Sequence, residues 1–327
     1  MDKVIEVKNL RKVFSIKGIK ERLVAVDNVS FDINESETFG LIGESGSGKT
    51  TVGRCMLKLI PLTSGNLNFQ NTEYSNLSGH QKLGILKNMQ MVFQDPYYSL
   101  NPRRTVWETV DDSLNTIKKK NKTERRERIE DTLSKVYLKT ESYDKYPHQL
   151  SMGEQQRLGV ARAIVSQPKF IVLDEPTSSL DISVRGEIIN LLVKLQKDLG
   201  ITYLFISHDL STVQYLCHRV AIMYLGQIVE IGSVDQVFKK SRHPYSVALL
   251  SSVMYPDPKI KRSDYKLTGE IPSPISLPKA CYLATRCPEA EDICRNEPPE
   301  MYEIDDGHKV MCHFAHRERR FRITNTT

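Results

Sequence analysis

Short apolar runs alternate with amphipathic stretches along much of the chain: residues 38–42 precede 51–60, 170–173 precede 184–199, and 203–206 precede 210–217. This is the strand-then-helix rhythm of a mostly parallel sheet covered by helices, and it predicts an α/β fold. Phe170, Ile171, Val172 and Leu173 leave no polar position for a solvent face, so they predict a strand buried on both sides. Further on, Ile188, Leu192, Leu195 and Leu199 keep one face of a helix, and Gly200 supplies its stop. Residues 94–165 read as helical and more polar, and the basic run KKKNKTERRER at 118–128 reads as a solvated helix or loop. From residue 255 the sequence turns Pro-rich (Pro256, Pro258, Pro272, Pro274, Pro278) and then Cys-rich, which predicts a linker and a small appended module.

Composition narrows the class. With 327 residues, 39% hydrophobic and 26% charged, the chain is an ordinary globular protein of one large domain or two modest ones, not a disordered one. No apolar run approaches the roughly 18–20 residues of a bilayer-spanning helix, and the N-terminal residues MDKVIEV lack the features of a secretory signal. The expectation is a cytosolic protein. A net charge of +6 is mild and names no partner by itself, and the basic end at 317–322 (RERRFR) reads as a solvated terminus.

Residues 43–50, GESGSGKT, match a phosphate-binding loop between a strand and a helix. Glycines let backbone N–H groups converge on a phosphate chain at a helix N-terminus, while Lys49 brings a point charge and Thr50 a magnesium ligand. ATP or GTP binding follows. The strand ending in Asp174 and Glu175 completes this chemistry, because Mg2+ needs a second anionic anchor and an attacking water needs an orienting base. Asp174 takes the first role and Glu175 the second. His208, just past the run 203–206, is placed near the γ-phosphate by the same end-of-strand logic.

Taken with residues 150–157 (LSMGEQQR), Gln94 in VFQDP, the turn Ser179, Leu180, Asp181 and His208, this order of motifs resembles the ATP-binding cassette ATPases over residues 4 to about 235. The resemblance implies a P-loop nucleotide-binding domain with a helical subdomain at about 95–165, the whole cassette covering 1–254, and a C-terminal extension at 255–327. It implies that Gly43, Ser45, Gly46, Ser47, Gly48, Lys49, Thr50 and Thr51 surround the ATP phosphates and that Thr50, Gln94 and Asp174 hold Mg2+. It also implies that Phe14 stacks on adenine and that Gln94 links the γ-phosphate to a membrane partner. In that family two cassettes close head to tail, so Ser151, Met152, Gly153 and Glu154 serve the partner's ATP, and Asp181 marks the D-loop.

A narrower likeness is to the ATP-binding subunits of oligopeptide, dipeptide and nickel importers, carried by QDPYYSLNPR at 94–103, the insertion at 15–22, and a tail with Cys281, Cys287, Cys294 and Cys312 after PSPISLP. The DPYYSLNP form is similar to the F-type member of the usual unlike pair. The resemblance then implies an ATPase at the cytoplasmic face of the membrane, paired with an unlike ATPase subunit beneath two permeases, in a complex that includes an extracytoplasmic substrate-binding protein, with no nucleic-acid partner. Peptide against nickel stays open, because the transported molecule never meets this chain.

One departure stands out. The family's signature is usually LSGGQ; here Met152 replaces the first glycine and Glu154 the glutamine, while Ser151 and Gly153 are kept. Any weakness falls on the partner's nucleotide, and methionine is strained there if the position needs a positive φ. The rival reading is a soluble ATPase acting on nucleic acid, but residues 51–149 leave no room for the long coiled coils of chromosome-handling relatives, and translation-type relatives usually carry two cassettes.

The tail cysteines are spaced C-x5-C, C-x6-C and C-x17-C, unlike the paired CxxC of zinc ribbons. Four thiolates in a short segment make a soft-metal site, and the resemblance favours a 4Fe-4S cluster over zinc. His308, His313 and His316 are alternative ligands or surface histidines. Cys55 and Cys217 read as small buried residues within helices.

Overall fold

The computed structural model describes residues 2–16, 18, 21–114, 121–252, 265–275 and 277–319. Residues 17, 19 and 20 of the predicted insertion, 118–120 of the basic run, Pro256 and Pro258, and 320–322 of the basic end lie outside them.

In chain order the principal elements are β1 (Lys3–Ser15), β2 (Arg22–Asn34), β3 (Thr38–Ile42), α1 (Lys49–Met56), β4 (Ser64–Phe69), β5 (Thr72–Glu73), α2 (Gly79–Leu86), β6 (Met89–Val92), α3 (Pro96–Ser99), α4 (Val106–Ser113) and α5 (Lys122–Lys135). There follow α6 (Met152–Ile164), β7 (Phe170–Asp174), α7 (Ile182–Leu199), β8 (Thr202–Ser207), α8 (Leu210–Leu216), β9 (Arg219–Tyr224), β10 (Gln227–Ser233), α9 (Val234–Lys240), α10 (Pro244–Ser251), α11 (Asp292–Asn296), β11 (Met301–Asp305) and β12 (His308–Met311). They group into two compact units, one made of residues 1–6, 32–38 and 67–207, the other of 7–31, 39–66 and 208–327.

In the first unit, β6, β7 and β8 pair in parallel, with Val92 opposite Leu173 and Asp174 opposite Ile206. Every residue of β7 and β8 is buried, as the unbroken apolar run requires. Helix α7 buries Ile188, Leu191, Leu192 and Leu195, and Gly200 at φ 64° closes it by donating its N–H to the Gln196 carbonyl at 2.8 Å. Helix α6 buries Leu158, Val160, Ala161 and Ile164, and is tied down by arginines: Arg162 donates to the Ser99 carbonyl, and Arg157 to the Val136 carbonyl at 3.2 Å. The described part of the basic run is helix α5, whose charges are locally matched: Arg125 pairs with Asp111, Arg126 with Glu130 at 2.9 Å, and Arg128 donates to the Val165 carbonyl at 2.6 Å.

In the second unit the strand order is β11-β12-β10-β9-β3, with β3 parallel to β9 and the others antiparallel. Two sequence expectations change here. The first helix ends at Met56 and not near residue 60, because Lys58 turns left-handed at φ 53°. The tail is not a free-standing appendage: its hairpin adds β12 to β10, Val310 opposite Glu230, so the last strands of the chain finish this unit's sheet. Cys55 lies within α1 as expected, whereas Cys217 sits one position past α8 as its cap.

Candidate functional site

The phosphate loop belongs to the second unit, between β3 and α1. Gly43 has φ 149° and Gly48 φ 103°, and a Cβ would meet the Met223 carbonyl oxygen at 2.2 Å in the first case and that of Ala25 at 2.2 Å in the second. Only glycine satisfies both the dihedral and the space. Gly46, also left-handed at φ 82°, and Ser45 are exposed at the open side of the loop, and Ser47 is buried. Lys49 is 5% exposed, and its ammonium donates to the Gly43 carbonyl at 2.8 Å, the Glu44 carbonyl at 2.9 Å and Ser47 Oγ at 3.3 Å. That fixes a positive charge at the centre of the loop, beside the N-terminal N–H groups of α1, where Thr50 and Thr51 begin the helix. Phe14 is 37% exposed on β1 with the Lys12 ammonium 4.6 Å from its ring centre, so it is not a core residue. His208 is exposed directly after β8.

The acids belong to the first unit. Asp174 is 2% exposed at the end of β7. Glu175 follows with φ 47°, a left-handed backbone uncommon outside glycine, and its N–H is fixed to the Ile206 carbonyl at 2.9 Å. Such a conformation costs roughly 1–3 kcal/mol and is retained where surrounding structure holds a side chain at a working angle. The structure brings Gln94 to it: Gln94 Nε2 donates to Glu175 Oε2 at 3.0 Å. The strain at Glu175 had no signal in the sequence.

Asp95 follows Gln94 and caps α3, accepting the Tyr97 N–H at 2.8 Å, and it leaves Tyr97 60% and Tyr98 85% exposed. The signature opens α6 as a capping box. Glu154 accepts from the Ser151 N–H at 2.9 Å and from its hydroxyl at 2.8 Å, while Ser151 Oγ accepts the Glu154 N–H at 3.3 Å. The Ser151 N–H first, and then its hydroxyl, hold the Glu154 carboxyl below the usual carboxylate range. Glutamate in place of glutamine is therefore a helix cap.

Met152 is the first residue of this helix and does not have a positive φ, so the condition under which it would be strained is not met; its side chain is 47% exposed. Space at Gly153 is tight, since a Cβ would lie 2.8 Å from Val184 Cγ1 and that side chain would have to shift. Asp181 spends its carboxylate capping α7, accepting from the Val184 N–H at 3.0 Å and Ser183 Oγ at 2.9 Å, and Ile182 beside it is 86% exposed.

In the C-terminal part of the second unit, Cys281 and Cys287 are half-buried, Cys294 and Cys312 are buried, and none is in a disulfide. The Cys281 N–H donates to the Cys294 carbonyl at 3.1 Å. Burial pushes the Cys281 thiol up to about 11, and Cys294, Cys312 and Cys287 add to the push, so the four lie in one electrostatic neighbourhood. Burial likewise raises Cys287 to about 11. Among the described residues no three or more His, Cys, Asp or Glu side chains form a group that could hold a metal ion. His308 corrects the sequence reading: it is 1% exposed, not a surface histidine, and its Nε2 bonds the buried Glu230 at 2.8 Å. His313 bonds the Glu297 carbonyl at 3.1 Å, and His316 is exposed against Tyr302.

A phosphate loop on a strand-to-helix turn, a strained glutamate at the end of a buried parallel strand and a capped signature helix define a P-loop nucleotide-binding cassette. A family model described as ABC transporter matches residues 26–178, and one described as oligopeptide/dipeptide transporter, C-terminal region, matches residues 229–294. The oligopeptide transport ATP-binding protein AppF of Bacillus subtilis is 42% identical over 318 residues, which cover 95% of this chain and 97% of that protein. A Brucella ovis protein named for peptide import ATP binding is 43% identical over 309 residues, 94% of this chain and 97% of the relative. Among solved structures, the dimeric bacterial ABC transporter cassette MJ0796 is similar with TM-score 0.64 and 28% identity over 70% of this chain and 98% of that one. CbiO1 of Clostridium perfringens, part of the ABC transporter complex cbiONQ, follows with TM-score 0.63 and 28% identity over 73% of this chain and 91% of that one. The chain belongs to the ATP-binding proteins of ABC transporters, and it is an ATPase of that family.

Proposed function

We propose that the chain powers the import of oligopeptides or dipeptides, as an F-type subunit that pairs with an unlike ATPase beneath two permeases at the cytoplasmic face of the membrane. The observation that carries this reading is the succession, in one chain, of a cassette and the oligopeptide/dipeptide transporter C-terminal region, with 42% identity to AppF along nearly the whole length. Among the described residues no helix is long and apolar enough to cross a membrane, so the route for solute is sought in partner chains. Tyr97 and Tyr98, exposed three and four positions after Gln94, suit docking to a permease, and Met152 with Ile182 suits the partner ATPase.

Lys49 and the loop amides bind the β and γ phosphates, Phe14 stacks on adenine, Glu175 orients the attacking water and His208 meets the γ-phosphate. The Thr50 hydroxyl, the Gln94 amide oxygen and the Asp174 carboxylate would hold Mg2+, which favours oxygen ligands and would neutralise charge on the phosphates. Ser151, Gly153 and the start of α6 serve the partner's nucleotide, with Asp181 nearby in the D-loop.

The tagged chain, purified from membranes in mild detergent, is expected to bring down two permeases and an unlike ATPase. ATP hydrolysis by that complex should rise when peptide and a substrate-binding protein are added. Nucleic acid in place of permeases, or stimulation by nickel alone, overturns the reading.

We also infer that Cys281, Cys287, Cys294 and Cys312 hold a 4Fe-4S cluster. What supports it is four cysteines in one neighbourhood: the Cys281 N–H donates to the Cys294 carbonyl at 3.1 Å, and Cys294, Cys312 and Cys287 all act on the Cys281 thiol. The role of the cluster is to staple the segment. Protein purified without air is expected to contain about four iron and four sulfide per chain, with an absorption band near 400 nm. Zinc in place of iron, or four freely alkylated thiols in that preparation, refutes it.

A further inference from the structure

Glu44, the second residue of the phosphate loop, is held from the C-terminal segment. Its N–H donates to the Tyr245 phenol oxygen at 3.0 Å, and its carboxylate Oε2 faces Arg286 Nη1 at 3.5 Å. Arg286 immediately precedes Cys287. Its guanidinium lies over the Tyr224 ring, 5.8 Å from the centre, and Nη1 donates to the Tyr224 hydroxyl at 3.4 Å. Tyr224 and Tyr245 pack ring to ring at 4.6 Å, closing a cluster of four side chains. The backbone of Arg286 is anchored on both sides, its N–H donating to the Leu283 carbonyl at 2.8 Å and its carbonyl accepting the Thr268 N–H at 3.0 Å.

The cluster is electrostatically unfinished. Glu44 Oε2 and Arg286 Nε are both buried without a hydrogen-bond partner. A cavity of about 480 Å3 lies against them, lined also by Tyr245, Tyr265 and Lys266. With Arg286 11% and Glu44 34% exposed, an ion pair of this kind is weak evidence for stability, because desolvation and solvent screening offset most of its attraction. It is stronger evidence for position, since removing Glu44 leaves the mostly buried Arg286 guanidinium without its acid. The position it governs is that of the loop: the Glu44 and Gly43 carbonyls are two of the loop oxygens that centre the Lys49 ammonium.

We propose that Arg286 is a positioning residue through which the cysteine segment sets the affinity of the phosphate loop for nucleotide. Ordering of residues 281–287 holds the guanidinium on Glu44, Glu44 holds the loop carbonyls on Lys49, and disordering of the cysteines releases the chain of contacts. The segment is thus a regulatory input to the same loop, and this rests on reading the loop as the nucleotide site.

The test is a double-mutant cycle on the full-length chain, with a fluorescent ATP analogue and Mg2+ as the probe and melting temperature recorded in parallel. Arg286→Met and Glu44→Gln are each expected to weaken binding about tenfold, within the usual range of coupling between sites. The double variant should be no weaker than either single one, and Arg286→Lys, which keeps the charge but not the planar fork, should recover part of the loss. Arg286→Lys also carries the test if the methionine variant does not fold. An Arg286 variant with a lowered melting temperature and unchanged affinity overturns the proposal, as does a double variant whose two losses multiply. Failure of the wild type to bind the analogue removes the nucleotide reading of the loop itself.

Discussion

Glu175→Gln is expected to leave MgATP affinity nearly unchanged and to lower turnover by about 100- to 10,000-fold, the range associated with loss of a positioned general base. Glutamine keeps the size of the side chain and can still meet the Gln94 amide, so the local geometry survives while the negative charge does not. The backbone supports this separation: the Glu175 N–H is held by the Ile206 carbonyl at 2.9 Å, which keeps the residue at φ 47° whichever side chain it carries. The companion variant is Lys49→Ala. It removes the charge that three loop oxygens centre, and it should weaken nucleotide binding by at least roughly 30- to 150-fold, the equivalent of about 2–3 kcal/mol for charge-assisted hydrogen bonds. Equilibrium binding and steady-state hydrolysis on the assembled complex separate the two. Unchanged turnover in Glu175→Gln removes its role as base, and unchanged affinity in Lys49→Ala removes the loop as the phosphate site.

The sequence reveals the chemistry that lives in short contiguous motifs. GESGSGKT can be read because glycine at positions 43 and 48 answers a purely local demand, a left-handed backbone against a neighbouring carbonyl. The β7 run and the α7 stripe can be read because burial on two faces and burial on one face leave different periodicities. What could not be read depends on contacts far apart in the chain. Nothing in HKVM at 308–311 announces that it becomes an inner strand, because its partner is Glu230, 78 positions earlier. Met152 shows the same limit in reverse: whether its position needs a positive φ is not legible in the sequence, and the capping box of Ser151 and Glu154 places it at an ordinary helical start. Glu154 and Asp181, read only as signature and D-loop residues, turn out to spend their carboxylates on helix N-termini.

Glu230→Ala is expected to detach the C-terminal hairpin and cost about 3–5 kcal/mol, the toll of breaking a buried charged network from one side. Glu230 is fully buried in β10 and accepts from His308 Nε2 at 2.8 Å, Ser241 Oγ at 2.8 Å, the Arg242 N–H at 2.8 Å and the His243 N–H at 3.0 Å. One carboxylate therefore joins β10, the turn into α10, and β12. Burial pushes the Glu230 carboxyl up, but the hydrogen bonds it accepts, that from His308 foremost and that from the Arg242 N–H among them, more than offset it, and the group stays below the usual carboxylate range. A carboxyl depressed in the folded state contributes stability at neutral pH that is lost as pH falls through its folded value. His243 acts in the same direction and earlier. Burial lowers it from 6.5 to about 4, and its Nδ1 accepts the Tyr245 N–H at 3.1 Å, a bond that requires the unprotonated ring. The wild type should therefore lose stability from about pH 6.5 down towards pH 4 as the unfolded state takes up the histidine proton, and lose more below that as Glu230 is neutralised. In Glu230→Ala the second loss should vanish, because no carboxylate remains to protonate. Urea unfolding between pH 7 and pH 3.5, with amide exchange across residues 308–311, measures both effects. Full protection of β12 in the alanine variant at neutral pH means that the hairpin is held by its ladder to β10 alone and that the Glu230 network is dispensable.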